Sequence, residues 1–195
     1  MKKFILISIV ALFASNALMA QEAATPKFAY VNFSELVQLM PEMDEARATS
    51  EAASNEAQET YRAMVEEFQK KYEQYSQKSA TWTAAIKESK EKELADLEGR
   101  IREFQEAIQQ ELQEQQQKLM APIYKKAQEV VAKLGVEKGY TMVFDVTTIL
   151  YINPAQCDDL TAEARVVLNI PAERTMESLQ AELQAKAAAA QQSAQ

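Results

Sequence analysis

Histidine is absent from the 195 residues, cysteine and tryptophan occur once each, and there are three glycines. Without histidine, His-based acid–base or triad chemistry is excluded, and the commonest zinc ligand is missing. The lone Cys157 can close no intramolecular disulfide, and it reads as a small, partly packed loop residue rather than a reactive thiol. Glycines at 99, 135 and 139 make no phosphate-cradling loop, so no nucleotide is expected to drive a cycle. Long hydrophobic runs are lacking as well: Phe4 to Leu12 falls short of the ~20 residues that a membrane-spanning helix needs.

That apolar run follows Lys2 and Lys3 and leads to Ala17-Leu-Met-Ala20, a small residue before Gln21, which together predict a secretory signal peptide over residues 1–20. No cysteine lies near the cut to carry a lipid, so the product is expected to be soluble and exported to the periplasm. Removing the peptide leaves 19 basic against 29 acidic side chains, a net charge of −10. Such a balance argues against nucleic acid as a partner and against strong binding to anionic membrane. Carboxylates are plentiful, but nothing clusters them with a nucleophile or a metal-ligand set, so neither an enzyme nor a cofactor or metal site is predicted.

What the chain has in abundance is Ala, Glu, Gln and Lys between Glu42 and Lys138, where the only breakers are Gly99, Gly135 and Pro122. Two long helices are predicted there. In the first, Met43, Ala46, Ser50, Ala53, Ala57, Thr60, Met64, Phe68, Lys71 and Tyr75 recur at steps of three and four, which keeps one stripe on one face. In the second, Leu94, Leu97, Ile101, Phe104, Ile108 and Leu112 do the same, and Leu119, Ile123, Ala127, Val130 and Leu134 resume the stripe. The stripe lapses over Lys78 to Ile86, around Trp82, which marks a bend. A chain reversal there sets the small residues Ala46, Ser50, Ala53 and Ala57 opposite Ile108, Leu112 and Leu119. The first helix would project on the order of 55 Å, longer than any compact core of this size. The pair is therefore an exposed antiparallel coiled-coil arm, with a kink expected at Pro122 where it meets its base.

The base is built from both ends of the arm. Lys27 to Phe33 alternates as a strand, with Phe28 and Tyr30 on one face and Ala29, Val31 and Phe33 on the other. Ser34 is placed to cap a short helix, Glu35 to Met40, closed by Pro41. Gly135 and Gly139 are expected to end the second arm helix. Tyr140 to Asp145 and Ile149 to Ile152 are β-rich and predict an antiparallel hairpin, followed by loop from Asn153 to Asp159. Thr161 or Asp159 caps a final helix to about Asn169. Met176, Leu179 and Leu183 can stripe a short helix in the tail, but Ala187 to Gln195 is of low complexity and is expected to fray. Three short strands in one chain leave open edges and little sheet, which predicts an oligomer.

The order of these elements, and the words Phe28-Ala-Tyr-Val-Asn, Met40-Pro41, Ala121-Pro-Ile123, Gly139-Tyr-Thr-Met-Val-Phe-Asp145, Ile149-Leu-Tyr151 and Asp159-Leu-Thr161, resemble the Skp/OmpH family of periplasmic chaperones. The resemblance implies an α+β fold: a small β body, closed as a trimeric β-barrel core, from which helical-hairpin tentacles extend around a client cavity. It also implies an ATP-independent holdase that binds unfolded outer-membrane proteins in transit. The expected organisation is a signal peptide over 1–20, the first part of the body over 21–41, the tentacle over 42–121 with its bend near 78–86, the second part of the body over 122–170, and an Ala/Gln-rich tail over 171–195. Trp82, Met64, Tyr72, Tyr75 and Met120 are the candidate client contacts, because thioethers and amphipathic rings make adaptable apolar contacts. Phe28, Tyr30, Val143, Phe144, Leu150 and Tyr151 are the candidates for the body and its oligomer contacts. Unlike family members with strongly basic arms, this chain is acidic, so apolar and hydrogen-bond contacts rather than charge attraction are expected to hold clients. The alternative reading is an exported coiled-coil scaffold that binds a folded envelope protein through the arm.

Overall fold

The computed structural model describes residues 25–193; the signal-peptide expectation for residues 1–20 lies outside them. Strand β1, Phe28–Val31, leads into helix α1, Phe33–Leu39. Its cap is Asn32 rather than Ser34: the Asn32 side chain accepts from the Glu35 amide at 3.1 Å, and the Glu35 carboxylate accepts in turn from the Asn32 side-chain amide. Phe33 therefore belongs to the helix and not to the strand. Met40 is the single extended residue before α2, Pro41–Lys78, where Pro41 sits at the helix start, a position at which its missing N–H costs nothing. A 3₁₀ turn over Ser79–Thr81 and the extended residues Trp82 and Thr83 reverse the chain where the stripe lapses. Helix α3, Ala84–Glu137, is capped by the Thr83 hydroxyl and returns to the base.

Pro122 lies inside α3 and the helix runs through it uninterrupted. The residue is exposed, so the carbonyl that loses its helical donor lies on the solvent side and its loss is cheap. Gly135 is also within the helix, which ends only at Glu137. There Gly139, at φ +71°, closes a Schellman turn in which the Gly139 and Tyr140 amides donate to the Val136 and Gly135 carbonyls. Gly135 has another reason to be glycine: a Cβ there would stand 3.1 Å from Val143 Cγ2.

Strand β2, Met142–Asp145, pairs with β1 in parallel, Phe28 opposite Met142 and Val31 opposite Asp145. This replaces the antiparallel hairpin predicted for Tyr140–Ile152. The reason is length. With Glu42 at the start of α2 opposite Lys126, helix α3 runs on a further 11 residues to Glu137, so it overshoots the arm root by about 17 Å and carries the chain back past β1 to its start. The Thr141 amide accordingly donates to the Lys27 carbonyl at 2.7 Å. Ile149–Ile152 is not a strand; it follows a 3₁₀ turn over Val146–Thr148 and runs unpaired. The third strand is instead β3, Cys157–Asp159, in the segment predicted as loop, and it lies parallel to β1 on its other side.

Helix α4, Thr161–Val167, has Asp159 accepting from the Thr161 amide, while the Thr161 hydroxyl accepts from the Asn32 amide at 2.9 Å and ties α4 to the end of β1. Asn169, at φ 56°, ends this helix in the left-handed conformation that asparagine tolerates. Helix α5, Met176–Ser193, continues through Ala187, where fraying was expected. The core joins Ala29 and Val31, the buried face of α1, Met43 and Ala46 at the arm root, Ile123, Ala127 and Leu134 of α3, Ala164 and Leu168 of α4, and Leu179 of α5. The whole is a mostly helical α+β chain with one small sheet.

Candidate functional site

Two surfaces stand out, the arm and the bare face of the sheet. On the arm, the predicted stripe is the face that packs: Met43, Ala46, Leu97, Ile123 and Ala127 are buried, and most other seam residues are half-buried between exposed neighbours. Thr60 is the exception and is exposed. Polar contacts mark the register. Glu42 pairs with Lys126, Lys71 with Glu93, and the Tyr75 hydroxyl donates to Glu91. As α2 advances 33 residues from Glu42 to Tyr75, its partners in α3 retreat 35, from Lys126 to Glu91, as an antiparallel coil requires.

These ties sit at the two ends of the arm. Near the tip, Lys71 and Lys90 both hydrogen-bond Glu93, and they hold its carboxyl down to about 2. At the root, the hydrogen bond from Lys126 lowers Glu42 below the usual carboxylate range. Between them, where Ala53 and Ala57 face Phe104, Ile108 and Leu112, a shallow groove opens on each side of the seam, of about 550 Å³ and 440 Å³. Small residues opposite large ones thus leave apolar floor open to solvent, edged by Gln58, Gln105, Gln109, Arg102 and Glu106 on one side and by Gln115, Glu56, Glu111, Glu114 and Lys118 on the other.

Of the candidate client contacts, only Tyr72 is more than half exposed, at 57%, and it stacks on Phe68 with ring centroids 6.2 Å apart. Trp82 and Tyr75 meet edge to face at 5.9 Å, both half-buried, and pin the bend to the end of α2. Met64 is half-buried in the seam, and Met120 packs against the body core, far from the tip. The five therefore do not form one patch. Ile86, exposed beside the bend, and the groove floor of Phe104, Ile108 and Leu112, read from the sequence only as seam, were not among the candidate client contacts. Their signal was present, since three large seam residues lie opposite a run of alanines.

On the body, β1 alternates strictly: Ala29 and Val31 are buried, Phe28 and Tyr30 half-buried on the opposite face. Registered neighbours share that face, so Phe28 and Tyr30 lie beside Met142 and Phe144 on one side and Cys157 and Asp159 on the other. Phe28 and Phe144 are in ring contact at 6.1 Å. Beside them Ile149, Tyr151 and Ile152 complete an apolar hollow of about 380 Å³. Leu150, at 106% exposure, and Tyr151, at 80%, point away from their own chain, whereas Val143 turns inward onto Gly135. Met142, overlooked in the sequence, belongs to this face by its two-residue spacing from Phe144. Asp159 raises the Tyr30 hydroxyl pKa, and burial followed by Asp158 raises that of the Cys157 thiol, which keeps the thiol protonated and unreactive. Both outer strands of the sheet, β2 and β3, have no second strand neighbour among the described residues.

A small parallel sheet with one bare apolar face and two open edges, carrying a two-helix arm of about 57 Å, defines the class of the fold: an arm-bearing α+β chain. Residues 27–166 match the model of the family described as outer membrane protein (OmpH-like), and the chain belongs to that family. Its fold is similar to that of a solved protein from Caulobacter crescentus CB15 described as an OmpH-like outer membrane chaperone, with a TM-score of 0.65 and 14% identity, over 75% of this chain and 85% of that one. No curated protein matches the chain in sequence. Among the described residues no helix is long and apolar enough to cross a membrane.

Proposed function

We propose that this protein is a periplasmic holdase that keeps unfolded outer-membrane β-barrel proteins soluble without nucleotide. The observation that carries the reading is the arm: a long, wet hairpin whose middle offers open apolar floor on both sides of its seam, edged by glutamine amides and by charged side chains. A barrel strand before insertion presents alternating apolar residues and unpaired backbone groups, and aggregates in water. Apolar floor suits the first and amide rims the second. Each contact is weak, so several arms acting on one client are needed to hold it.

The body supplies the means to gather arms. Its bare face, its two open edges and the β-rich, unpaired Ile149–Ile152 support assembly into a homotrimer, in which neighbouring copies cover Phe28, Phe144, Leu150 and Tyr151 and complete the sheet. Tyr72, Trp82 and Ile86 then stand near the distal ends as further client contacts. Dilution of a urea-unfolded β-barrel protein into buffer with stoichiometric mature protein, without nucleotide, tests the reading. Suppressed light scattering and a complex with the mass of three chains plus one client are expected. Unchanged aggregation in the presence of a well-formed trimer would sink the holdase and favour the scaffold that binds a folded envelope protein.

A further inference from the structure

We propose that residues 171–193 form a brace that clamps the root of the arm to the body and so sets the angle at which the arm projects. These residues lie beyond the span matched by the family model. The inference rests on contacts within one chain and does not depend on client binding or on assembly.

The arm needs such a clamp on one side. Helix α3 passes from arm to body as one continuous rod, but α2 leaves the body through Met40 alone, a single extended residue at φ −61° and ψ 139°. Side-chain contacts must therefore fix the direction of α2. Glu42 and Asp44 supply them from nearly opposite flanks, because two residues span about 200° of a helix. Glu42 pairs with Lys126 of α3. Asp44 pairs with Arg174, in the segment between α4 and α5. The Arg174 side chain is only 20% exposed, uncommon for an arginine unless it is built into a contact.

The tail is in turn held to the body at two points. Arg165 of α4 donates to the carbonyls of Pro171 and Arg174 and to Glu35 of α1. Leu179 of α5, 4% exposed, joins the core that contains the buried face of α1. Arg47, one turn beyond Asp44, bonds both Asp44 and the Gln38 carbonyl at the end of α1. The first turns of α2 are thus gripped by α3 on one flank and by the tail and α1 on the other. Because α2 and α3 are tied again near the tip, an angle set at the root is transmitted along the arm.

The test uses the full chain with Cys157→Ser, Ala162→Cys on α4 and Glu66→Cys about two-thirds of the way out on α2, both exposed positions, labelled as a fluorescent donor–acceptor pair and diluted into unlabelled protein. Single-molecule transfer then reads the intrachain body-to-arm distance. Three variants are compared with the parent: a chain ending at Ile170, Arg174→Gln, and Leu179→Ser. The brace predicts a broadened transfer distribution with a shifted mean in each, while Arg174→Gln and Leu179→Ser keep the circular dichroism and mass of the parent and the truncated chain loses only the helical signal and mass of the deleted tail. A distribution identical to the parent's in the folded truncated chain overturns it. Should that chain not fold, identical distributions in Arg174→Gln and Leu179→Ser overturn it.

Discussion

Gly99 and Gly135 are two helical glycines with opposite surroundings. A Cβ at Gly99 meets nothing within 4 Å, so Gly99→Ala removes backbone entropy from the unfolded chain at no steric cost and is expected to stabilise the arm by up to ~1 kcal/mol. A Cβ at Gly135 meets Val143, a β-branched residue with little freedom to turn aside. Gly135→Ala is expected to forfeit that gain and to destabilise by about 1 kcal/mol as β2 is pushed from α3. Thermal unfolding of the body together with hydrogen exchange of the arm separates the two, and equal effects would contradict this account of Gly135. At this scale the sequence was only partly legible. The alternation of Phe28 and Tyr30 against Ala29 and Val31 follows from a two-residue period, but a glycine required by a side chain eight positions later in a strand has no local signature.

The arm's two helices are held by one seam, so ties near the tip decide how far they fray. Glu93 is the clearest of these. Its carboxyl lies near 2 against an ordinary 4.5, so its contribution is complete above about pH 4.5 and is lost as pH falls toward 2. Lys71, raised by the same contact, keeps its charge through the whole neutral range. With no histidine in the chain, no side chain of ordinary pKa titrates between about pH 5 and 8. Hydrogen-exchange protection of α2 and α3 near the tip is therefore expected to be flat across that interval, after correction for intrinsic rates, and to fall only below about pH 4.5. A loss of protection around neutrality would contradict the assignment. The helices themselves were readable because their stripe repeats over many turns. Pro122 does not end the helix, because the cost of a proline depends on whether the orphaned carbonyl reaches water, which burial decides.

Across the whole molecule, the bare sheet face and the arm make separable claims. Leu150→Asp with Tyr151→Asp places charge on residues that touch little of their own chain, so the fold of the single chain is expected to survive while the proposed trimer falls to monomer by mass determination. An unchanged mass would mean that this face is not the interface. Under the proposed holdase reading client affinity rests on the arm and, in a chain of net charge −8, is not expected to depend on attraction to anionic groups. Raising salt from about 0.1 M to 1 M shortens the screening length from ~10 Å to ~3 Å. Affinity should change by less than a few-fold; a fall of orders of magnitude would point to charge as the main hold.

The amino-acid sequence by itself determined the arm: its two helices, their reversal around Trp82, their antiparallel seam and the family they belong to. A period repeated over about twenty turns leaves one arrangement that buries the stripe. Only the tertiary structure decided that the sheet is parallel, that Cys157–Asp159 rather than Ile149–Ile152 completes it, and that the tail grips the arm root. Strands of three or four residues carry too little pattern to name their partners. Their pairing is set by where the 11 residues of α3 beyond Lys126 return the chain, and the Arg174–Asp44 contact joins residues 130 positions apart.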